Sequence, residues 1–334
     1  SFHLETFYFI LKKSKIEIKK WLKKVFPMLF FKYYGIINIV WDSNCLKGKI
    51  KMKKIAIAVT STSGVDHTNL KNDINLIRLT VHFDGKDYVD HTELKADDFY
   101  QMINEKPNAD VKTSQAATGK VAELYENLKD KGYTDVIVVT ISSKLSGSYQ
   151  GCVTAASLVE GINVHVIDSK SASYGETFLA AHALKLANEN IDPKIIVEKL
   201  EEIRDNVNVY LLVDTLKYLV KNGRLSHTSG ALGTLLKIKP ILTVENGVIL
   251  PLEKVRTAKK AREKLLELSI EKLKETKEAE AFIAYTNNKD LAETFENEIL
   301  KQYPNLKITL IPLTPVVGAH TGPGAIGIGL IKYA

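Results

Sequence analysis

The residues best placed to do chemistry lie in the stretch 134–150, TDVIVVTISSKLSGSYQ. Residues 135–140 form a short apolar, β-branched run of the kind found in buried parallel strands. Ser142, Ser143, Ser146, Gly147 and Ser148 follow at once, and 149–158 is small and helix-compatible. A strand running into a Ser/Gly loop and then a helix offers hydroxyls and free backbone N–H groups where an anion is favoured. The same serines serve equally as helix caps. Other candidates sit in glycine contexts: Arg224 after Gly223, Arg256 in Lys254-Val255-Arg256, and His320 before Thr321-Gly322-Pro323-Gly324. Two arginines, one histidine and several hydroxyl loops could together hold one anionic head group.

Other chemistries lack their residues. Gly322 to Gly327 spells G-x-G-x-x-G, but no βαβ unit follows it and no acid stands about 20 residues on, so a dinucleotide site is rejected. There is no Walker A sequence, no H-E-x-x-H and no C-x-x-C, and the histidines are scattered; no metal and no cofactor are expected. In Gly147-Ser148-Tyr149-Gln150-Gly151 the serine is misplaced for a nucleophile elbow.

The elements that position these residues follow from periodicity. Strands are expected at 54–60, 76–83, 136–141 and 164–167, and helices at 95–104, 118–131 and 149–158. Thr113 and Ser114 then fall near a helix start. Such alternation makes a doubly wound parallel sheet, with hydroxyl loops at the strand C-termini where open α/β sheets bind ligands. Beyond residue 171 the pattern mixes helices (175–190, 193–205, 259–275, 290–302) with strands (210–213, 238–244, 281–286, 308–312), and Glu245-Asn246-Gly247 marks a hairpin turn. The apolar run 232–236 and a Gly-rich tail ending in an apolar strand complete this half. The expected class is α/β in two domains: a doubly wound α/β/α domain over 52–170, then a second α/β domain with a mixed sheet over 171–334.

With 45% hydrophobic and 25% charged residues over 334 positions, the chain suits a soluble protein. Two cysteines, Cys45 and Cys152, give no disulfide framework, so a reducing cytoplasm is expected. Of the net charge of +7, residues 1–51 supply +8, leaving the remainder at −1. A near-neutral body without a helix-turn-helix signal argues against nucleic acid. Residues 1–51 are rich in Lys, Ile and Phe, and hold Trp21 and Trp41; Lys32 breaks their apolar run, so no spanning helix is expected. The natural start is expected at Met52, with 1–51 a leader that is disordered or foreign to the native chain.

The motifs KTSQ (112–115), TISSKLSGSYQ (140–150), VIDSKSAS (166–173), DTLKYLVKNGRLS (214–226), LLKIKPILTVENG (235–247), EKVRTAKKA (253–261) and AHTGPGAIGIG (319–329), in this order, resemble the DegV family over 53–334. The resemblance implies a lipid carrier and no enzyme of its own. It would bind a long-chain fatty acid, tail buried and carboxylate at the domain junction, and present it to the kinase subunit of a fatty-acid kinase for acyl-phosphate formation. It further implies Thr113, Ser146, Arg256 and His320 at the carboxylate, with Arg224 a weaker candidate for kinase docking; Ser142, Ser143 and Ser148 are left to capping. Three positions depart from the family pattern: Thr60 where the first loop has Asp, Asn222 where the GR motif begins with Gly, and Thr257 after the KVR motif. A small-molecule kinase or transferase acting alone is the alternative reading.

Overall fold

The computed structural model describes residues 54–225, 239–275 and 279–332. The expectations for residues 1–51 and for the run 232–236 lie outside them.

Four strands, β1 (Ile55–Thr60), β2 (Asn75–Ile77), β6 (Asp135–Thr140) and β7 (Asn163–Asp168), form a parallel sheet in the order β2-β1-β6-β7. Every residue of β6 is buried, as its unbroken apolar run requires. In register, Ile57 lies beside Ile137 and Val59 beside Val139. Period-two geometry sends these side chains to one face and Ala56, Ala58, Val136 and Val138 to the other. The alanine face packs on α2 (Thr118–Asp130) and α3 (Ser148–Ala156) through Val121, Tyr125, Cys152 and Ala155. The opposite face packs on α4 (Tyr174–Asn188) and α5 (Pro193–Arg204) through Leu179, Ala183, Ile196 and Leu200. The sheet is doubly wound.

The second large sheet is mixed. Its order is β10 (Val248–Val255), β9 (Lys239–Glu245), β8 (Val207–Leu212), β13 (Ile326–Lys332), β11 (Ala279–Tyr285), β12 (Lys307–Pro312). Only β11 and β12 run parallel among these pairs. Its outer face packs on α7 (Ala258–Lys274) and α8 (Lys289–Gln302) through Leu265, Leu273, Phe295 and Ile299. Its inner face joins the core that also takes Ile57, Val59 and the residues of α4, so one apolar cluster runs between the two sheets.

The strand expected over 76–83 is broken. The guanidinium of Arg78 binds both carboxylate oxygens of Asp66, and the Leu79 N–H donates to Ser61 Oγ (3.2 Å). These bonds turn the chain out of the parallel sheet. The next segment, β3 (Thr80–Phe83), joins an antiparallel sheet of order β4-β3-β5 with β4 (Lys86–Val89) and β5 (Val111–Ser114). Thr113 therefore sits on a strand and not at a helix start. This sheet packs on α1 (Ala96–Glu105) and α9 (Pro315–Thr321). Three short elements, β4, β5 and α9, have no counterpart in the sequence reading, and α6 (Lys217–Lys221) is a single turn and a half. Among the described residues no helix is long and apolar enough to cross a membrane.

Candidate functional site

Between the two large sheets lies a cavity of about 380 Å³, within the range of ~300–1,000 Å³ usual for small-molecule sites. Its floor is the inner face of the mixed sheet: Val209 and Leu211 from β8, Phe282 and Ala284 from β11, and Gly327 from β13. The sequence Ile326-Gly327-Ile328-Gly329-Leu330 explains why there is room. Ile326, Ile328 and Leu330 face the outer core, so the glycines face inward. A Cβ at Gly329 would lie 2.0 Å from the Phe282 ring, so the ring takes that space. A Cβ at Gly327 would meet nothing nearer than the Tyr210 carbonyl at 3.4 Å. The floor is apolar, and one of its glycines opens directly on the cavity.

The polar lining gathers at the C-terminal end of the parallel sheet. Because β1, β6 and β7 pair in parallel register, the loops that follow them emerge side by side. They bring Thr62, Ser146 and Ser173 to the cavity, where open α/β sheets place their ligands. Thr113 of β5 and His320 of α9 enter from the antiparallel side, and Thr113 Oγ1 lies 2.8 Å from His320 Nε2. The Nδ1 of His320 is buried and has no partner among the described residues. Burial lowers the pKa of His320 to about 4, and the Arg224 guanidinium pushes in the same direction. The imidazole is neutral at physiological pH.

Helix α9 is held so that His320 keeps this position. Pro315 fits its first turn, where no amide donor is needed. The Tyr100 hydroxyl donates to the Leu313 carbonyl (3.1 Å) just before the helix. The Asn222 side-chain amide donates to the Ala319 carbonyl (3.0 Å). Gly322 ends the helix at φ 75°, with the Tyr218 ring against it where a Cβ would stand.

Of the residues expected at the site, Thr113, Ser146 and His320 line the cavity, and so does Arg224, which the sequence reading reserved for docking. Arg224 donates to the Leu145 carbonyl (3.2 Å) and to that of Asn222. It makes no ion pair with a carboxylate among the described residues. Arg256 is not brought in. Ile249 is the residue of β10 that lines the cavity, near the hairpin turn, and Arg256 follows the other end of that edge strand, exposed. At ~3.3 Å per residue the two are roughly 20 Å apart along the strand.

The serines expected to cap α3 do other work. Its N-cap is Gly147, without a side-chain cap bond. Ser142 donates to the Gly247 carbonyl (2.7 Å), tying the loop after β6 to the β9–β10 hairpin. Ser143 donates to Asp168 (2.5 Å). Ser148 is buried with its hydroxyl 2.9 Å from that of Ser146. The three departures from the family pattern also have local partners. Thr257 caps α7, accepting from the Lys260 N–H (3.3 Å); Asn222 supports α9 as above; and Thr60 donates to Glu176.

Glu176 and Asp90 are the ionisable groups that sequence reasoning missed. Both are fully buried. Burial pushes Glu176 up to about 8 and Asp90 up to about 7, against the hydrogen bonds each accepts. The available signal was one acid, Glu176, in the otherwise uncharged start of α4. Asp90 carried none, since it follows a polar strand.

Three comparisons bear on this site. The family model described as "Uncharacterised protein, DegV family" matches residues 54–333. The chain belongs to the DegV family. A DegV domain-containing protein of Staphylococcus aureus is 36% identical over 220 residues, covering 66% of this chain and 76% of the relative. The crystal structure of DegV from Bacillus subtilis, described as a fatty acid binding protein, superposes with a TM-score of 0.78 at 33% identity, covering 84% of this chain and all of that one. A fatty acid (stearic acid)-binding protein from Eubacterium ventriosum superposes with a TM-score of 0.78 at 25% identity, covering 84% of this chain and 98% of that one.

Proposed function

We propose that this DegV protein binds a long-chain fatty acid in the cavity between its two large sheets. The observation that carries the reading is the division of that cavity. Its floor is apolar, from Val209 to Gly327, and its polar lining, with Thr62, Thr113, Ser146, Ser173, Arg224 and His320, comes from the strand-end loops and the antiparallel side. The fatty-acid ligands of the Bacillus and Eubacterium relatives fit the same division. Burying a saturated chain contributes ~0.8 kcal/mol per methylene, so a tail of roughly fourteen methylenes gains on the order of 10 kcal/mol. Each hydrogen bond to a charged head group adds about 1.5–3 kcal/mol. The tail therefore sets affinity, and the polar end sets orientation.

On this reading the carboxylate lies near Thr113 Oγ1 and Ser146 Oγ, with His320 and Arg224 beside it. The protein acts as a carrier and presents that carboxylate to a separate kinase subunit for acyl-phosphate formation. Arg224, without a carboxylate partner among the described residues, suits the extra charge of the phosphorylated head group. Exposed Arg256 is assigned no contact with the head group. The test is titration of lipid-stripped protein with a fluorescent fatty acid, in the wild type and in Thr113→Val and His320→Ala. Saturable binding, weakened about tenfold or more by either change, supports the reading. Binding that ignores both changes places the carboxylate elsewhere, and no binding by the wild type removes the lipid reading.

A further inference from the structure

Behind the polar end of the cavity three side chains form a closed triangle. Thr60 Oγ1 lies 2.9 Å from Thr62 Oγ1. Both hydroxyls reach the same carboxylate oxygen, Oε2 of Glu176; the Thr62 bond is 2.8 Å. Thr60 Oγ1 also accepts the Ile141 N–H (3.0 Å). Glu176 is 0% exposed, its Oε1 has no partner, and no cation pairs with it among the described residues. Of the three, Thr62 lines the cavity, beside Ser173, whose buried hydroxyl also lacks a partner.

The protons in this triangle have two arrangements. If Glu176 is ionised, both threonine hydroxyls donate to Oε2, and Thr62 shows the cavity only lone pairs. If Glu176 carries a proton on Oε2, that proton is donated to Thr60 Oγ1, whose acceptor positions are then filled by it and by the Ile141 N–H. The Thr60 hydroxyl donates to Thr62 Oγ1, and the Thr62 hydroxyl is released to donate into the cavity. Only the second arrangement offers a donor to an anion.

We propose that Glu176 is a positioning residue for the head group: by carrying a proton, it relays a hydrogen bond through Thr60 and turns the Thr62 hydroxyl towards a bound carboxylate. This rests on the fatty-acid reading above. The environment agrees with it. Burial favours the neutral carboxyl, and the neighbouring charge that acts on Glu176 is Asp90, of like sign. Asp90 itself lies behind Ser61, with Arg78 and Asp66 beside it. From β6 and α5 the surrounding core takes Ile137, Val139, Ile196 and Leu200. Across the cavity stand His320 and Arg224. Binding of an anionic head group is thereby coupled to one proton on Glu176.

The experiment measures fatty-acid affinity of the full chain from pH 7 to 9.5, with a fatty alcohol of the same length as the neutral-headed comparison. For the wild type the fatty-acid affinity is expected to be level below about pH 8 and to fall on the order of tenfold by pH 9.5. The alcohol should show no such fall, and calorimetry in buffers of different ionisation heat should show proton uptake at pH 8.5. Glu176→Gln, whose amide always donates, should flatten the profile, and Asp90→Asn, which removes the like charge, should keep the fall but move it to lower pH. A level wild-type profile without proton uptake overturns the proposal, as does a profile that survives in E176Q; the wild-type measurements alone decide if E176Q fails to fold. Absence of fatty-acid binding at every pH would instead overturn the lipid reading.

Discussion

Gly327→Leu should shorten the cavity without disturbing the sheet that carries it. Gly327 lies on the cavity floor in β13, between Ile326 and Ile328, which face the other core. A Cβ there meets the Tyr210 carbonyl at 3.4 Å and Leu211 at 3.6 Å, which is ordinary contact. Beyond that contact the side chain has only the cavity to enter, and its four carbons together take the room of about four methylenes. At ~0.8 kcal/mol per methylene, a long tail that loses those contacts binds about 3 kcal/mol less tightly, on the order of a hundredfold. A tail four methylenes shorter should lose little. The assay is competition binding over a series of saturated chain lengths, with thermal unfolding as a check on the fold. An equal loss at every length, or no loss at any, would refute the assignment of the tail to this floor.

Three further outcomes follow from the buried groups. Glu176 binds its proton up to about pH 8 in the fold, against 4.5 in its ordinary state. Stability from this group is complete below pH 4.5 and lost as pH rises through 8; E176Q should therefore gain on the order of 4 kcal/mol over wild type at pH 8.5 and little at pH 4.5, by denaturant unfolding of ligand-free protein. His320 runs the other way. With its pKa lowered to about 4, stability is present above 6.5 and falls, by up to about 3 kcal/mol, as pH drops from 6.5 to 4, and His320→Gln should remove that part of the acid sensitivity. Ser146→Ala deletes the bonds from Ser146 to Ser148 but leaves the floor intact. It should keep the protein loaded with lipid while slowing acyl-phosphate formation with a kinase partner; full activity would count against Ser146 as a head-group ligand.

The parallel sheet was legible because β6 is six consecutive buried residues, and a strand buried on both faces has no polar position to obscure it. Short one-sided elements were not. Lys86-Asp87-Tyr88-Val89 and Val111-Lys112-Thr113-Ser114 are half polar and four residues long, so β4 and β5 are defined by pairing with β3 and not by pattern. Helix α9 hides between Pro315 and Gly322, residues that read as a loop until the proline is placed in the first turn. The alternation of glycine with isoleucine from 326 to 329 was visible, yet a glycine face reads as a weak strand until a cavity is found above it.

The site shows the same limits. Thr113 and His320 touch although they are 207 positions apart, and Ser146 lines the same cavity; spacing alone could not have grouped them. Arg256 stands apart from them because its motif lies at the end of an edge strand, and only the strand's direction says which end faces the cavity. Glu176 went unnoticed because a lone acid near a helix start is ordinarily a favourable partner of the helix dipole. Its burial beneath Thr60 and Thr62 depends on contacts 114 and 116 residues away in sequence.

The central claim is that a fatty acid occupies the cavity between the two sheets. Its most direct test is solvent extraction of the purified protein followed by mass spectrometry, in the wild type and in Gly327→Leu. The account predicts a stoichiometric long-chain fatty acid from the wild type and a shift to shorter chains in the variant. A wild-type extract without fatty acid, from protein that also fails to take one up when it is added, would contradict it.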